Sequence, residues 1–272
     1  MAFSMSEQGP RVIVTRPERE ALPWVQALRA EGVQAEIFPL IDIAPPPDPS
    51  VLQDAWALVP ACLAVMFVSA NAVRFFMAAR PLGPEGTLCH AWSTGPGTQA
   101  ALLAAGWPAD QIDSPDAQAD QFDSEALWTV VAERAHRAVS AMGPHTAPKV
   151  LIVRGADAQG QLAGRDWLAQ QLSSAGVEVL QTVAYVRQAP VLTPARQQRA
   201  RQAMTDGSWW LFSSSEAAQH LLQGCPGLDV RHARAMATHP RIAQRLQQAG
   251  WGRVDLVPAG LGAQAMSIKS LA

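Results

Sequence analysis

One stretch of the chain occurs twice, and nothing else in the sequence restricts the fold so tightly. Residues 93–107 align without gaps on residues 237–251, so that Thr94, Pro96, Leu102, Ala105, Gly106 and Trp107 recur as Thr238, Pro240, Leu246, Ala249, Gly250 and Trp251. Upstream, Phe67, Ser69 and Ala72 return as Phe212, Ser214 and Ala217, with Ser69 25 positions before Thr94 and Ser214 24 before Thr238. A third, shorter echo sets Val14-Thr15-Arg16 beside Val153-Arg154-Gly155, each followed by a helical stretch ending in a Gly-Val step, Gly32-Val33 and Gly176-Val177. Repetition over this distance implies two similar structural units.

The units are of α/β type. Short β-rich apolar runs alternate with Ala/Leu/Gln stretches of helical period, the pattern of a parallel sheet covered by helices. The pattern predicts strands at 11–15, 34–38, 63–68, 88–93, 150–153, 177–183, 209–212, 234–238 and 254–257. Helices are predicted at 18–31, 70–79, 96–105, 124–137, 165–175, 193–205, 215–223 and 240–249. Pro96 and Pro240 suit the first helical turn, where a missing N–H is no loss, and Asp123-Ser124-Glu125 suits a helix start. Prolines 39, 45, 46, 47 and 49 crowd one segment and Pro190 and Pro194 another, so both places read as extended linkers. If these crossings run side by side, the middle unit is inserted in the outer one. The expectation is two flavodoxin-like parallel-sheet domains joined by a two-stranded linker, the first discontinuous (1–40 with 190–272) and the second at 45–184.

Composition narrows the function. Of 272 residues 49% are hydrophobic and 16% charged, which excludes a disordered chain, and a net charge of −2 gives no basic face for nucleic-acid backbone. The apolar stretch 58–68 is too short to span a membrane, and the start of the chain has no basic-then-apolar signal, so a cytoplasmic location is expected. Cys62, Cys89 and Cys225 are widely spaced, and the six histidines form no metal-binding pattern, so neither disulfides nor a metal site is expected.

In a parallel sheet, ligands sit at the carboxyl ends of strands, where loops and helix starts present N–H groups. Those positions hold Thr15 and Arg16; Ser69, Ala70 and Asn71; Gly95 and Thr98; Arg154 and Gly155; Ser213, Ser214 and Ser215; and His239, Pro240 and Arg241. Small hydroxyls, glycine and arginine suit carboxylates or phosphates. Any one such loop is also an ordinary helix cap; recurrence in both units points to a ligand cleft between them. Arg16 and Arg154 each suit a bidentate carboxylate contact or an ion pair, and Arg165 reads as a helix start. Gly95-Pro96-Gly97 lacks the third glycine of a dinucleotide loop, and no nucleophile elbow or phosphate-binding Walker loop exists. Tyr185, the one tyrosine of the chain, lies where the second linker leaves the central unit, and a phenol is a neutral proton donor at physiological pH. A strand-end aromatic at a hinge is the plain alternative.

Taken together, Val14 to Pro17, Phe67 to Val73, Gly95 to Thr98 with Gly106, Phe122 to Leu127, Leu151 to Gly155, Gly164 to Leu168, Tyr185 and Phe212 to Ser214 resemble the uroporphyrinogen-III synthase family, in order and over nearly the whole chain. The resemblance departs at His239-Pro240-Arg241-Ile242, where the family usually has Gly-Pro-x-Thr, and at Ser93-Thr94, where it tends to carry aliphatics. It implies a lyase that closes hydroxymethylbilane to uroporphyrinogen III with inversion of the last ring and loss of water, without metal or organic cofactor. Positioning would carry most of the catalysis, with Tyr185 assisting departure of the hydroxyl and the loops named above holding carboxylates. It further implies a monomer whose partners are the linear tetrapyrrole substrate and, transiently, the preceding enzyme of the pathway, with no nucleic acid or membrane partner. Two other classes stay open on sequence alone: a non-catalytic tetrapyrrole-binding or regulatory relative, supported by the altered 239–242 loop, and a two-domain solute-binding protein.

Overall fold

Each predicted strand is a short, largely apolar run, and each forms a strand in the computed structural model, which describes residues 11–81, 88–116, 123–143, 146–162, 166–258 and 260–270. In chain order the elements are β1 (Arg11–Val14), α1 (Glu18–Ala30), β2 (Gln34–Ile37), β3 (Asp42–Ala44), α2 (Ser50–Leu58), β4 (Cys62–Phe67), α3 (Ala70–Ala78), β5 (His90–Ser93), α4 (Pro96–Ala104), β6 (Ile112–Asp113) and α5 (Ser124–Ala141). There follow β7 (Lys149–Asp157), α6 (Trp167–Ser174), β8 (Glu178–Gln188), α7 (Pro194–Ala203), β9 (Trp209–Phe212), α8 (Ser215–Gly224), β10 (Arg234–Ala237), α9 (Pro240–Gln248), β11 (Arg253–Leu256) and α10 (Leu261–Ser270). The sequence pattern missed β3, β6, α2 and α10: two are strands of three residues or fewer, too short to show a period, and β3 hides inside the proline-rich segment read as linker. Phe122, Gly164 and Arg165 lie outside the described residues. No helix among the described residues is long and apolar enough to cross a membrane.

The chain divides into two compact units, one holding the described residues up to Asp42 and from Gln188 onward, the other Ile43–Arg187. The sheet of the first runs β11-β10-β9-β1-β2, which in order within the unit is the flavodoxin-like 2-1-3-4-5. The sheet of the second runs β3-β8-β7-β4-β5-β6. Apart from the edge strand β3, its members pair in parallel, like those of the first sheet. When β8 and β7 are matched to β2 and β1, and β4, β5 and β6 to β9, β10 and β11, the spatial order is the same; the chain merely enters the second sheet at a different strand.

That equivalence explains the repeat physically. Phe67 and Trp107 meet edge to face with centroids 5.7 Å apart, and their counterparts Phe212 and Trp251 do so at 5.3 Å. Each repeated helix ends in the same closure. Gly106 N–H donates to Leu103 and Trp107 N–H to Leu102, as Gly250 N–H donates to Gln247 and Trp251 N–H to Leu246. The two glycines sit at φ 82° and 86°, a left-handed conformation that side chains with a Cβ resist. The repeated Leu and Trp are the apolar pair that covers this turn, and all four are buried.

The third echo is corrected by one residue. β1 faces β9 with Val14 opposite Leu211, whereas β7 faces β4 with Ile152 opposite Met66. Since Met66 is the counterpart of Leu211, Val14 corresponds to Ile152, and Arg16 to Arg154 rather than to Gly155. The pairing of Arg11 with Gln34 and of Lys149 with Glu178 sets the same register. A slip of one residue would turn each strand's core face outward, so burial fixes what a short echo cannot.

Candidate functional site

Because the strands of each sheet apart from β3 run parallel, they end on the same edge of their unit, and the site residues expected from the sequence collect there. In the first unit the order of strands reverses between β1 and β9, and at their ends lie Thr15 and Arg16 on one side and Ser213, Ser214 and Ser215 on the other. Thr15 is buried, and its hydroxyl donates to the Leu211 carbonyl at 2.7 Å, so it ties the two strands together. Arg16 is half-buried, its guanidinium carbon 4.2 Å above the Trp24 ring. Its Nε is buried with no hydrogen-bond partner among the described residues. Burial pushes this guanidinium below its ordinary value, and Glu20 partly offsets that. A charged group held in this way favours an anion.

Ser214 caps α8, its Oγ accepting from Glu216 N–H at 3.2 Å, and Ser213 and Ser215 flank it half-buried. His239 caps α9: its Nδ1 accepts from Arg241 N–H at 3.1 Å. The ring therefore supplies the acceptor that a serine or threonine would, and the helix starts with Pro240 as the spacing predicts. His239, Pro240 and Arg241 are exposed at the end of β10.

In the second unit the reversal falls between β7 and β4. Ser69 caps α3 in extended backbone, accepting from Ala72 N–H at 3.2 Å, with Ala70 beginning the helix and Asn71 buried behind it, its Oδ1 accepting from Arg74. Gly95 stands at the N-cap of α4, and Thr98, in its first turn, is buried. Tyr185 on β8 is buried, and its Oη lies 3.1 Å from Ser69 Oγ. Gly155 pairs with Tyr185 across the ladder, just past a break in register after Arg154. A Cβ on Gly155 would stand 2.4 Å from Tyr185 Cζ, so the phenol ring occupies the space a side chain would need. Arg154, by contrast, is locked. Its side chain is 3% exposed and its Nη1 donates to Asp166 Oδ1 at 2.6 Å and Gln181 Oε1 at 2.8 Å.

The structure therefore brings Ser69, Gly155 and Tyr185 into contact and leaves the Arg16 Nε without a hydrogen-bond partner among the described residues, while Arg154 is spent on its own unit. Sequence reasoning missed Trp24 under Arg16, Gln181 over Arg154, and Phe75, which stacks on Tyr185 at 6.2 Å. Asp166 stood in a motif quoted for its family likeness, with no sign of its ion pair. Among the described residues no group of histidine, cysteine, aspartate or glutamate side chains is arranged to hold a metal ion.

Solved structures share this fold at low identity. A uroporphyrinogen III synthase variant from Thermus thermophilus matches at 18% identity with a TM-score of 0.53, over 96% of this chain and 98% of its own. The uroporphyrinogen-III synthetase of Helicobacter pylori matches at 14% identity with a TM-score of 0.54, over 97% and 100%. The family model described as uroporphyrinogen-III synthase HemD matches residues 23–267, which takes in the whole second sheet, the first sheet apart from β1, and every site residue except Thr15 and Arg16. With that span matched, the chain belongs to the uroporphyrinogen-III synthase family.

Proposed function

We infer that this chain is a lyase of tetrapyrrole biosynthesis that closes hydroxymethylbilane to uroporphyrinogen III, inverting the last ring and releasing water. The observation that carries the reading is the family match over residues 23–267. The substrate is a linear tetrapyrrole with carboxylates on every ring. Its terminal hydroxyl leaves with help from the adjacent pyrrole nitrogen, and the azafulvene so formed is attacked by the far ring at its substituted carbon. Left free, the chain would close without inversion, so holding the far ring in the less favoured attack geometry is the main task.

The site residues take roles that their surroundings support. Arg16 and the first turns of α3, α4, α8 and α9 bind carboxylates, because these turns begin at the strand ends with the positive ends of their helices there. Tyr185 donates a proton to the departing hydroxyl; an acidic side chain there would be repelled by the substrate. Arg154 serves the second unit's own structure through Asp166. The enzyme works as a monomer in the cytoplasm, in keeping with three unpaired cysteines, and meets the enzyme that makes its substrate only in passing. The altered 239–242 loop does not favour a non-catalytic relative, since His239 still caps α9.

The decisive assay feeds hydroxymethylbilane to the purified protein and separates the type I and type III isomers after oxidation. Type III product is expected, with Tyr185→Phe lowering turnover about 10²–10⁴-fold, the usual worth of general-acid assistance. Type I product alone overturns the activity. Parent-like turnover of Tyr185→Phe leaves the activity and removes the donor.

A further inference from the structure

A proton donor acts only if its hydroxyl is aimed, and this inference rests on the reading of Tyr185 as that donor. Three groups from one unit converge on its ring. Gly155 of β7 gives it bare backbone to lie on, where a Cβ would stand 2.9 Å from the hydroxyl oxygen itself. Phe75 of α3 stacks on it with planes 23° apart. Ser69, at the turn from β4 into α3, meets Oη at 3.1 Å. The ring is therefore fixed from below and from the side, and only the last contact touches the reacting atom.

Ser69 Oγ is itself fixed. It accepts from Ala72 N–H at 3.2 Å, which commits one lone pair to the helix and leaves its proton and a second lone pair for the phenol. That arrangement suits both stages of a proton transfer. Before the transfer, Ser69 can accept from the phenol or orient it. When the proton leaves with the hydroxyl as water, the electron pair of the broken C–O bond goes to that oxygen, and Ser69 can turn its own O–H towards the phenolate. The first turn of α3 adds the positive end of its dipole at the same place. The proton released as the macrocycle regains its aromatic pyrrole restores the phenol. We propose that Ser69 is a positioning residue that acts through Tyr185, coupling the start of α3 to the donor hydroxyl.

The test is a double-mutant cycle of Ser69→Gly and Tyr185→Phe, with Ser69→Thr as the conservative rescue. Glycine is tolerated at a helix N-cap, so Ser69→Gly removes the hydroxyl with little change in folding. It should lower kcat about threefold to tenfold, the range of one hydrogen bond, with KM unchanged. In the Tyr185→Phe background the same change should have no further effect, and Ser69→Thr should keep most of the parental kcat. Tyr185 is the one tyrosine of the chain, so the Raman Fermi doublet of tyrosine, whose intensity ratio follows phenol hydrogen bonding, reads this residue alone. That ratio should change in Ser69→Gly. A loss of kcat that persists in the Tyr185→Phe background, or an unchanged doublet, overturns the proposal while leaving the donor in place. Parent-like turnover of the single Tyr185→Phe variant is a different failure: it removes the donor, and the positioning role falls with it.

Discussion

Arg16 and Arg154 stand at the same place in two sheets of one plan, two residues past Val14 and Ile152, yet their surroundings are opposite. Arg16 follows a strand of four residues that Pro17 brings to an end, and it lies over Trp24 with Nε unpartnered among the described residues. Arg154 lies inside a strand of nine residues, buried and bonded to Asp166 and Gln181. The extension of β7 past Arg154 begins with Gly155, where the first unit has Pro17, and β8 runs on beside it as far as Gln188. Proline cannot donate to a ladder and sets the next helix going, whereas glycine lets the strand continue and leaves room above it. Tyr185 sits in that room. The repeated plan therefore sets the sheet in both units, and the residue after each arginine divides the surroundings: a guanidinium over Trp24 in one unit, a glycine that leaves room for Tyr185 in the other.

The comparison breaks most visibly at Gly155. Gly155→Ala puts a Cβ into the phenol ring, so turnover should fall towards that of Tyr185→Phe, and overpacking should lower stability by about 1–3 kcal/mol. A variant with parental turnover and melting temperature would show that the ring shifts freely. The arginines come next. Arg16→Ala should raise KM roughly 10–100-fold, because a hydrogen bond to a charged group is worth about 1.5–3 kcal/mol, with little change in melting temperature. Arg154→Ala should do the reverse, lowering the melting temperature by several degrees with KM near the parental value, since its partners belong to its own unit. The opposite pattern in steady-state kinetics and thermal melts would refute the division of labour.

Smaller effects sharpen the likeness. Ser214→Ala removes the cap of α8 and should lower stability by about 0.5–2 kcal/mol. His239→Ser gives α9 a preferred hydroxyl cap in place of the imidazole and should raise stability by a few tenths of a kcal/mol, read from denaturant midpoints. The last effect appears only at alkaline pH. Burial, reinforced by Cys62, pushes the Cys89 thiol up to about 12. A thiol raised in the folded state binds its proton more tightly than in the unfolded chain, so its stabilisation is complete below the unfolded value near 9 and fades as pH rises towards about 12. Loss should not exceed about 1.4 kcal/mol per pH unit for this cysteine. Cys89→Ala should flatten the decline; an unchanged pH profile would mean the thiol is not held protonated.

How far the sequence reached depends on the length of the signal. Strands β9 and β10 and helices α8 and α9 are legible because each carries three or four apolar residues and the two helices begin at a serine and at a proline. Trp209 and Trp210 read correctly as a strand covered on both faces, and they enter opposite sides of the sheet. Strand β6, two residues long, carries no period, and β3 borrows its partner β8 from far along the chain. The Arg154 ion pair was hidden for a related reason, because Gln181 reaches the guanidinium only through strand pairing.

By itself the sequence determined the α/β class, the twofold plan, the helix starts at proline and serine, and the left-handed closures at Gly106 and Gly250, since each of these depends on residues close together in the chain. Only the tertiary structure decided that Arg16 corresponds to Arg154, that one of the pair is locked, and that Tyr185 lies on Gly155 against Ser69. Those facts depend on register between strands far apart in sequence, where a slip of one residue exchanges the two faces of a sheet, and burial of the correct face is what selects among them.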